Sequence, residues 1–369
     1  MTQLSNHLDA PDANNAPYTK RDRRFTAMLV TGAVAVVLGI VAAVVPVPYV
    51  VESPGPTFNT LGKDGTKSVI SVTGHESYPT SGNLNLTTVY VSGGPNGPVS
   101  ILEALQAWLD PAKAVYPQEM IYPSGVTKEQ SDQESAVAMS TSQENATAAA
   151  LSELAITYKQ NLIVAGFSEN SPSQSKLAVG DQLLSVDGHN VTTLKVVQDA
   201  LAAGAGMPAT VVVLRGGKNV TAQVTPTRNS EGRYLLGIGL EYKFTFPFDV
   251  KFSLDQVGGP SAGMMFALGL IDTITPGELT GGKFVAGTGT ITPDGKVGAI
   301  GGIAQKMHGA RDQGATLFLA PAANCNDVVG HVPDGLQVVK VETLAEARDA
   351  VRLAGEGKDT SALPSCSAN

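Results

Sequence analysis

The stretch "DQVGGPSAGMMFALGLID", Asp255 to Asp272, puts a serine on a sharp corner of small residues and then turns apolar. Two glycines and a proline precede Ser261, and Ala262 and Gly263 follow it. The apolar run predicts a buried helix beginning just after Ser261. A serine there either caps the helix or is held exposed as a nucleophile, and capping is the commoner use of an isolated Pro-Ser corner. A serine hydroxyl attacks only when a base takes its proton, so the chain downstream must supply one. None of the five histidines lies in a recognisable partner pattern; "GGIAQK", Gly301 to Lys306, offers an amine instead. Lysine serves as a base when burial lowers its pKa from about 10.4. Met264, Met265, Phe266 and Ile303 are candidate walls for such a pocket. His308 is two residues beyond Lys306 on a predicted helix, so the two side chains point apart.

The flanking pattern gives an alternation of elements around this corner. "DVKFSL" reads as a strand, "FVAGTGTITPDGKVGAI" as a hairpin about Pro293-Asp294-Gly295, and "GIAQKMHGARDQG" as a second helix. "ATLFLAP" and "LQVVKV" read as strands and "TLAEARDAVRLA" as a last helix. The implied architecture is α+β, a mixed sheet with packed helices.

Residues 258–321, "GGPSAGMMFALGLID" followed by "FVAGTGTITPDGKVGAIGGIAQKMHGARDQGATLFLAP", resemble the proteolytic domain of Lon proteases. The resemblance implies Ser261 as nucleophile, Lys306 as base and Thr288 beside the lysine. Backbone at Gly259, Pro260 and Ala262 is then expected near the developing oxyanion, helped by the helix dipole. Lon-type sequences often carry an acidic residue just before Gly-Pro-Ser; here that position is Gly258, and the nearest acid is Asp255. The competing reading is a non-catalytic adaptor on an inactive protease scaffold.

Upstream, residues 157–228 form a distinct module. "NLIVAGFSENSPSQSKLAVGDQLLSVDGHNV" reads as strand, turn, short helix and strand, and Asp187-Gly188 makes a turn. "LKVVQDALAAG" reads as a helix and "ATVVVLRGGKNVTAQVTPTR" as a hairpin. The run "GDQLLSVDG" resembles the signature strand of PDZ domains, which bind an extended peptide as an added strand. The resemblance implies Ile163, Val164, Ala165, Gly166 and Phe167 as the peptide-binding strand.

At the N-terminus, "KRDRR" precedes a stretch without charge from Phe25 to Val45. At about 1.5 Å per residue this is long enough to cross a hydrocarbon core of roughly 30 Å. Pro46 and Pro48 end it, and the basic cluster predicts a cytoplasmic N-terminus with the catalytic and PDZ parts outside. A cleaved signal peptide is the alternative; the long polar lead and the apolar length favour an uncleaved anchor. Before the module, "SVISVTG" and "NLNLTTVYVSG" alternate like strands, and "VSILEALQAWLD" sets Leu102, Leu105 and Leu109 on one helical face. Residues 123–146 are polar and read as a loop or a surface helix, and "ATAAALSELA" as a helix.

The order anchor, PDZ, Lon-type domain resembles the membrane-anchored, ATP-independent PDZ-containing Lon-like proteases of bacteria. In that family the segment before the PDZ belongs to the catalytic fold and the PDZ is an insertion. The expected divisions are a polar tail 1–24, an anchor 25–46, protease segment 47–156, PDZ 157–228, catalytic part 229–355 and tail 356–369. "GELTGGK", Gly277 to Lys283, fits a phosphate-loop spacing, but Phe284 stands where Mg²⁺ binding needs a hydroxyl and the stretch follows a helix. No cofactor and no metal is expected, since neither CxxC nor HExxH occurs. The net charge of −8 argues against nucleic acid as a partner. The expected partners are protein or peptide substrates of the cell envelope, the membrane, and further copies of the chain, since Lon-type domains commonly form rings. Cys325 and Cys366 either form a bridge or stand as two free thiols.

Overall fold

The computed structural model describes residues 23–254 and 257–367. The polar tail up to residue 22 and Asp255 lie outside the described residues. Helix α1 (Arg23–Val44) is the apolar segment, and none of its residues is buried against the rest of the chain. It is long and apolar enough to cross a membrane.

Two six-stranded sheets follow. The first takes strands from both ends of the chain: β1 (Tyr49–Asn59), β3 (Asn83–Ser92) and β4 (Ala114–Pro117) from before the insertion, with β11 (Phe284–Gly287), β14 (Leu317–Pro321) and β15 (Gln337–Val341) from after it. Their order across the sheet is β15-β14-β11-β3-β1-β4. From β15 to β3 the neighbours are parallel, and β1 runs antiparallel to both β3 and β4. A strand pair, β2 (Ile70–Thr73) with β10 (Asp249–Phe252), joins the two chain segments again. The segment before the insertion is thus one fold with the segment after it.

Period-two alternation gives this sheet two apolar faces. Leu84, Leu86, Val285, Leu317 and Leu319 pack with helices α5 (Gly263–Ile274) and α7 (Leu344–Gly355) in one core. Ala286, Phe318 and Ala320 face the other way, against Ile303, Met307 and Ala310 of α6 (Ile303–Asp312). Helix α5 is buried along nearly its whole length, as its sequence requires. Met264, Met265, Phe266, Leu268 and Leu270 are fully enclosed, each contributing about 1.5–3 kcal/mol by leaving water.

Residues 123–146 divide differently from the expectation. Helix α3 (Lys128–Glu153) runs unbroken for 26 residues, capped by the Thr127 side chain, which accepts the Gln130 N–H. Its alanine-rich end, Ala146 to Leu151, is buried in the core beneath α5. The polar first half is carried along because one continuous helix needs no second nucleation.

The second sheet is the inserted module: β5 (Lys159–Phe167), β6 (Gln182–Val186), β7 (Ala209–Arg215), β8 (Lys218–Val224) and β9 (Ile238–Thr245), in the order β8-β7-β6-β5-β9, with a sixth, two-residue strand, His189–Asn190, paired to β6 off that order. Helix α4 (Leu194–Ala203) packs on it through Val197, Ala200 and Leu201. Asp181, nearly buried, accepts both Nε and Nη2 of Arg215 at 2.7 Å and the Ala178 N–H at 2.8 Å. The Arg215 bonds hold its carboxyl below the ordinary carboxylate range. The sheet extends past residue 228, where the sequence placed its end, because β9 pairs with β5 from Ile238↔Phe167 to Thr245↔Lys159.

Cys325 and Cys366 are bonded to one another. The tail they tie down lies along β15, where the Lys340 N–H donates to the Pro364 carbonyl at 2.8 Å.

Candidate active site and peptide groove

Ser261 and Lys306 come from opposite faces of the first sheet and meet at the carboxyl end of β11. Ser261 stands two residues before α5, and the first turn of that helix is pinned to the strand end: the Met264 N–H donates to the Gly289 carbonyl, and the Gly289 N–H to the Ser261 carbonyl. The small residues of the corner are required by close approach. Gly259 has φ +82°, which an L side chain rarely adopts. A Cβ on Gly263 would stand 2.8 Å from both the Ser142 Oγ of α3 and the Ile291 Cγ2 of β12 (Thr290–Ile291), which pairs with β13 (Val297–Gly298).

Helix α6 enters from the other face behind Gly302, whose left-handed backbone turns the chain into the helix. Lys306 is 3% exposed. Its Nζ donates to Thr288 Oγ1 at 3.3 Å, and Thr288 Oγ1 donates to the Ser261 carbonyl at 3.0 Å. Thr288 is wholly buried. The structure thus joins the three residues Ser261, Thr288 and Lys306 through one hydroxyl. Burial lowers the Lys306 amine to about 8, with the Glu52 carboxylate opposing that shift. Glu52, on β1, is 8% exposed, and burial pushes its own carboxyl up while Lys306 pulls it down. A neutral lysine that donates one N–H to Thr288 keeps a lone pair for a serine proton. Glu52 was missed from sequence: a single glutamate in a strand far upstream carries no pattern that ties it to Lys306. Among the described residues, the His308 side chain makes no hydrogen bond.

The oxyanion expectation needs correction at two positions. The Gly259 N–H donates to the Ser135 carbonyl of α3 at 3.0 Å, so it is already engaged. Pro260 has no N–H, and its carbonyl accepts the Ser142 hydroxyl at 3.0 Å. Among the described residues, the N–H groups of Ser261 and Ala262 have no hydrogen-bond partner, and they sit at the start of α5. Of the three expected positions only Ala262 has a free N–H among the described residues, and the Ser261 N–H beside it is free as well.

In the second sheet the strand Ile163–Phe167, expected to receive a peptide, is an inner strand lying between β6 and β9. Residue pairs Ile163↔Gln182 and Leu162↔Leu183 occupy one side, Val164 bonds to residues 180 and 181, and β9 covers the other side throughout. The open edge belongs to β9, the end strand of the sheet. A groove of about 580 Å³ runs between it and α4, lined by Leu194, Val197 and Leu201 of the helix and Ile238 to Leu240 of the strand, with Tyr234 to Gly237 closing one end. Ala165, Gly166 and Phe167 form part of its floor, while Ile163 and Val164 do not line it. The pattern "LLGIGLEYKF", Leu235 to Phe244, was legible as a strand after a glycine, but placing the module's end at residue 228 hid it.

Comparison with known proteins agrees with both parts. Residues 256–352 match the family described as the Lon protease (S16) C-terminal proteolytic domain, and residues 133–225 match the PDZ domain. The PDZ match starts inside α3 and stops before β9. A Lon protease of Mesomycoplasma hyopneumoniae is 35% identical over 96 residues, 25% of this chain and 11% of the relative. Lon protease 2 of Bacillus subtilis is 32% identical over 95 residues, 26% of this chain and 17% of the relative. The chain thus spans less than a fifth of the length of these curated relatives. Among solved structures, the PDZ domain of an SdrC-like protein from Listeria monocytogenes is 23% identical, at a TM-score of 0.21. The match covers 23% of this chain and 90% of that one.

Proposed function

From a chain that carries a Lon-type proteolytic domain and a PDZ domain, we propose a membrane-anchored serine endopeptidase that works without ATP and uses a Ser261–Lys306 dyad. The observation that carries this reading is the lysine: an amine 3% exposed and lowered to about 8, hydrogen-bonded through Thr288 to the serine corner. In the proposed reaction Lys306 Nζ takes the Ser261 proton as Oγ attacks the scissile carbonyl. The N–H groups of Ser261 and Ala262 receive the oxyanion, and the ammonium returns the proton to the leaving amine. Water then repeats the sequence on the acyl-enzyme. A scaffold kept only for binding has no use for a desolvated lysine, whose burial costs stability.

The PDZ groove supplies docking. A peptide adds antiparallel to β9 and places apolar side chains against Val197 and Leu201. Strand β9 leads through β10 toward the serine corner, so a docked segment lies on the same stretch of chain as the nucleophile. Substrates are unfolded or loosely ended proteins of the cell envelope, met on the outer side of the membrane. The disulfide supports an oxidising location for the tail and the last domain. The test is casein hydrolysis by the full chain, with and without ATP, beside Ser261→Ala. Turnover that is indifferent to ATP and lost in Ser261→Ala supports the reading; turnover that survives Ser261→Ala overturns it.

A further inference from the structure

Helix α2 (Ile101–Leu109) faces the wrong way for a helix in water. Ala104 and Ala107 face the body, beside Val47, Val51, Val99 and Val115. The opposite side shows Leu102, Leu105, Trp108 and Leu109, and the last two are 79% and 84% exposed. These four fall within one arc of the helix, while Glu103 and Gln106 hold the polar edge. Apolar side chains clustered this densely on one exposed helical face mark an interaction surface.

The position of α2 identifies what covers it. The Ile101 N–H donates to the Val45 carbonyl, one residue past the end of α1. Residues 46–47 then pair with residues 99–100, Pro46↔Ser100 and Val47↔Val99. The exposed Met120 belongs to the same rim: its short helix, Gln118–Ile121, begins with an N–H donated to the Pro48 carbonyl. The apolar residues therefore gather around the single point where the chain leaves its apolar span, which is where the surface of a bilayer must lie. Tryptophan prefers that interfacial level, with its ring in the acyl boundary and its N–H toward water. Helix α2 holds no lysine or arginine, so apolar burial rather than attraction to anionic headgroups would hold it there.

We propose that α2 is an interfacial helix, seated with Leu102, Leu105, Trp108 and Leu109 in the outer leaflet of the bilayer that α1 crosses. The inference rests on the reading of α1 as a membrane anchor. Its consequence is that the protease body is fixed at two points and cannot swivel on the anchor. The serine corner is then held in one fixed orientation relative to the membrane.

Trp108 is the one tryptophan in the sequence, so its fluorescence reports this site alone. The full chain is reconstituted in phosphatidylcholine vesicles and floated on a density gradient, which tests the anchor. In the floated vesicles Trp108 emission should be blue-shifted and shielded from acrylamide. Lipids brominated close to the carbonyl should quench it about twofold more than lipids brominated near the chain end, as expected for burial at the acyl boundary. The double variant Leu105→Glu, Leu109→Glu changes only exposed positions; it should still float, with its emission shifted to the red and its lipid quenching lost. A wild-type chain that floats while Trp108 stays open to acrylamide and unquenched by either lipid overturns the inference and leaves the anchor standing. A blue shift that grows with protein concentration, without lipid quenching, overturns it in favour of a second copy on this face. A chain that does not float overturns the anchor and the inference with it.

Discussion

Lys306 is held between two opposing influences, and that balance is open to measurement. Burial lowers its amine to about 8, and the Glu52 carboxylate acts against burial. Removing that negative charge should lower the amine further, so Glu52→Gln should move the rising limb of the pH–rate profile to lower pH while leaving the plateau rate comparable. A limb that does not move would take Glu52 out of the electrostatics of the site. Thr288 is expected to position the amine rather than to react. Thr288→Val should lower kcat about 10–100-fold, and Thr288→Ser, which keeps the hydroxyl, should restore most of it. Equal losses in both variants would mean that the methyl group matters and the hydroxyl does not. Asp272 tests the core. It is 1% exposed, its Oδ1 accepts the Leu279 N–H at 2.7 Å, and among the described residues its Oδ2 has no partner. Burial pushes its carboxyl up to about 6. Between the ordinary carboxylate range and about 6 the native state keeps a proton that the unfolded chain has lost, so this group's stabilising contribution falls as pH rises through that window. Asp272→Asn should therefore raise stability near neutral pH by about 1–3 kcal/mol and do much less at about pH 4, read from urea unfolding at both.

At the scale of elements, the groove between α4 and β9 places a prediction on one helix position. Val197 and Leu201 line the groove, and both are also packed in the module's core, so a charge there would damage the fold. Leu194, 40% exposed at the groove's mouth, is the cleaner site. Leu194→Glu should raise KM for protein substrates with loose ends about tenfold and leave short peptides nearly unaffected, because docking energy is lost while the dyad remains. Equal effects on both substrates would argue against docking in this groove. The same elements show what the sequence could and could not carry. Helix α5, α6 and the strands between them were legible because apolar periodicity and glycine turns are local signals, whereas Ser261, Thr288 and Lys306 were singled out through the resemblance to Lon-type sequences. The pairing of β9 with β5 was not legible: it joins residues 71 to 86 apart, from Ile238↔Phe167 to Thr245↔Lys159, and nothing in either strand names its partner. The loss of Gly259 to the Ser135 carbonyl was hidden for the same reason, since α3 reaches the serine corner only through tertiary packing. Glu52 belongs with these, brought to Lys306 by the sheet and not by any spacing.

On the scale of the whole molecule, one sheet is built from both ends of the chain, and the disulfide closes the last part of it. Joining residues 325 and 366 removes denatured-state entropy worth on the order of 4 kcal/mol, so reduction should lower the unfolding midpoint without changing the fold. The proposed topology requires that protease added to intact spheroplasts reach the chain only beyond residue 50, and protection of the catalytic part would contradict it. The central claim is that Ser261 attacks and Lys306 is its base, and the full chain tests both together. The most direct measurement is the pH–rate profile of casein hydrolysis by wild type, Ser261→Ala and Lys306→Arg, each first shown to unfold at the same denaturant concentration. Guanidinium stays protonated in proteins and cannot accept the serine proton. Wild-type activity should rise through about pH 8, and both variants should lose at least about a thousandfold, with the double variant no worse than either. A Lys306→Arg enzyme that keeps its activity, or a wild-type profile that does not rise in that range, would contradict the assignment.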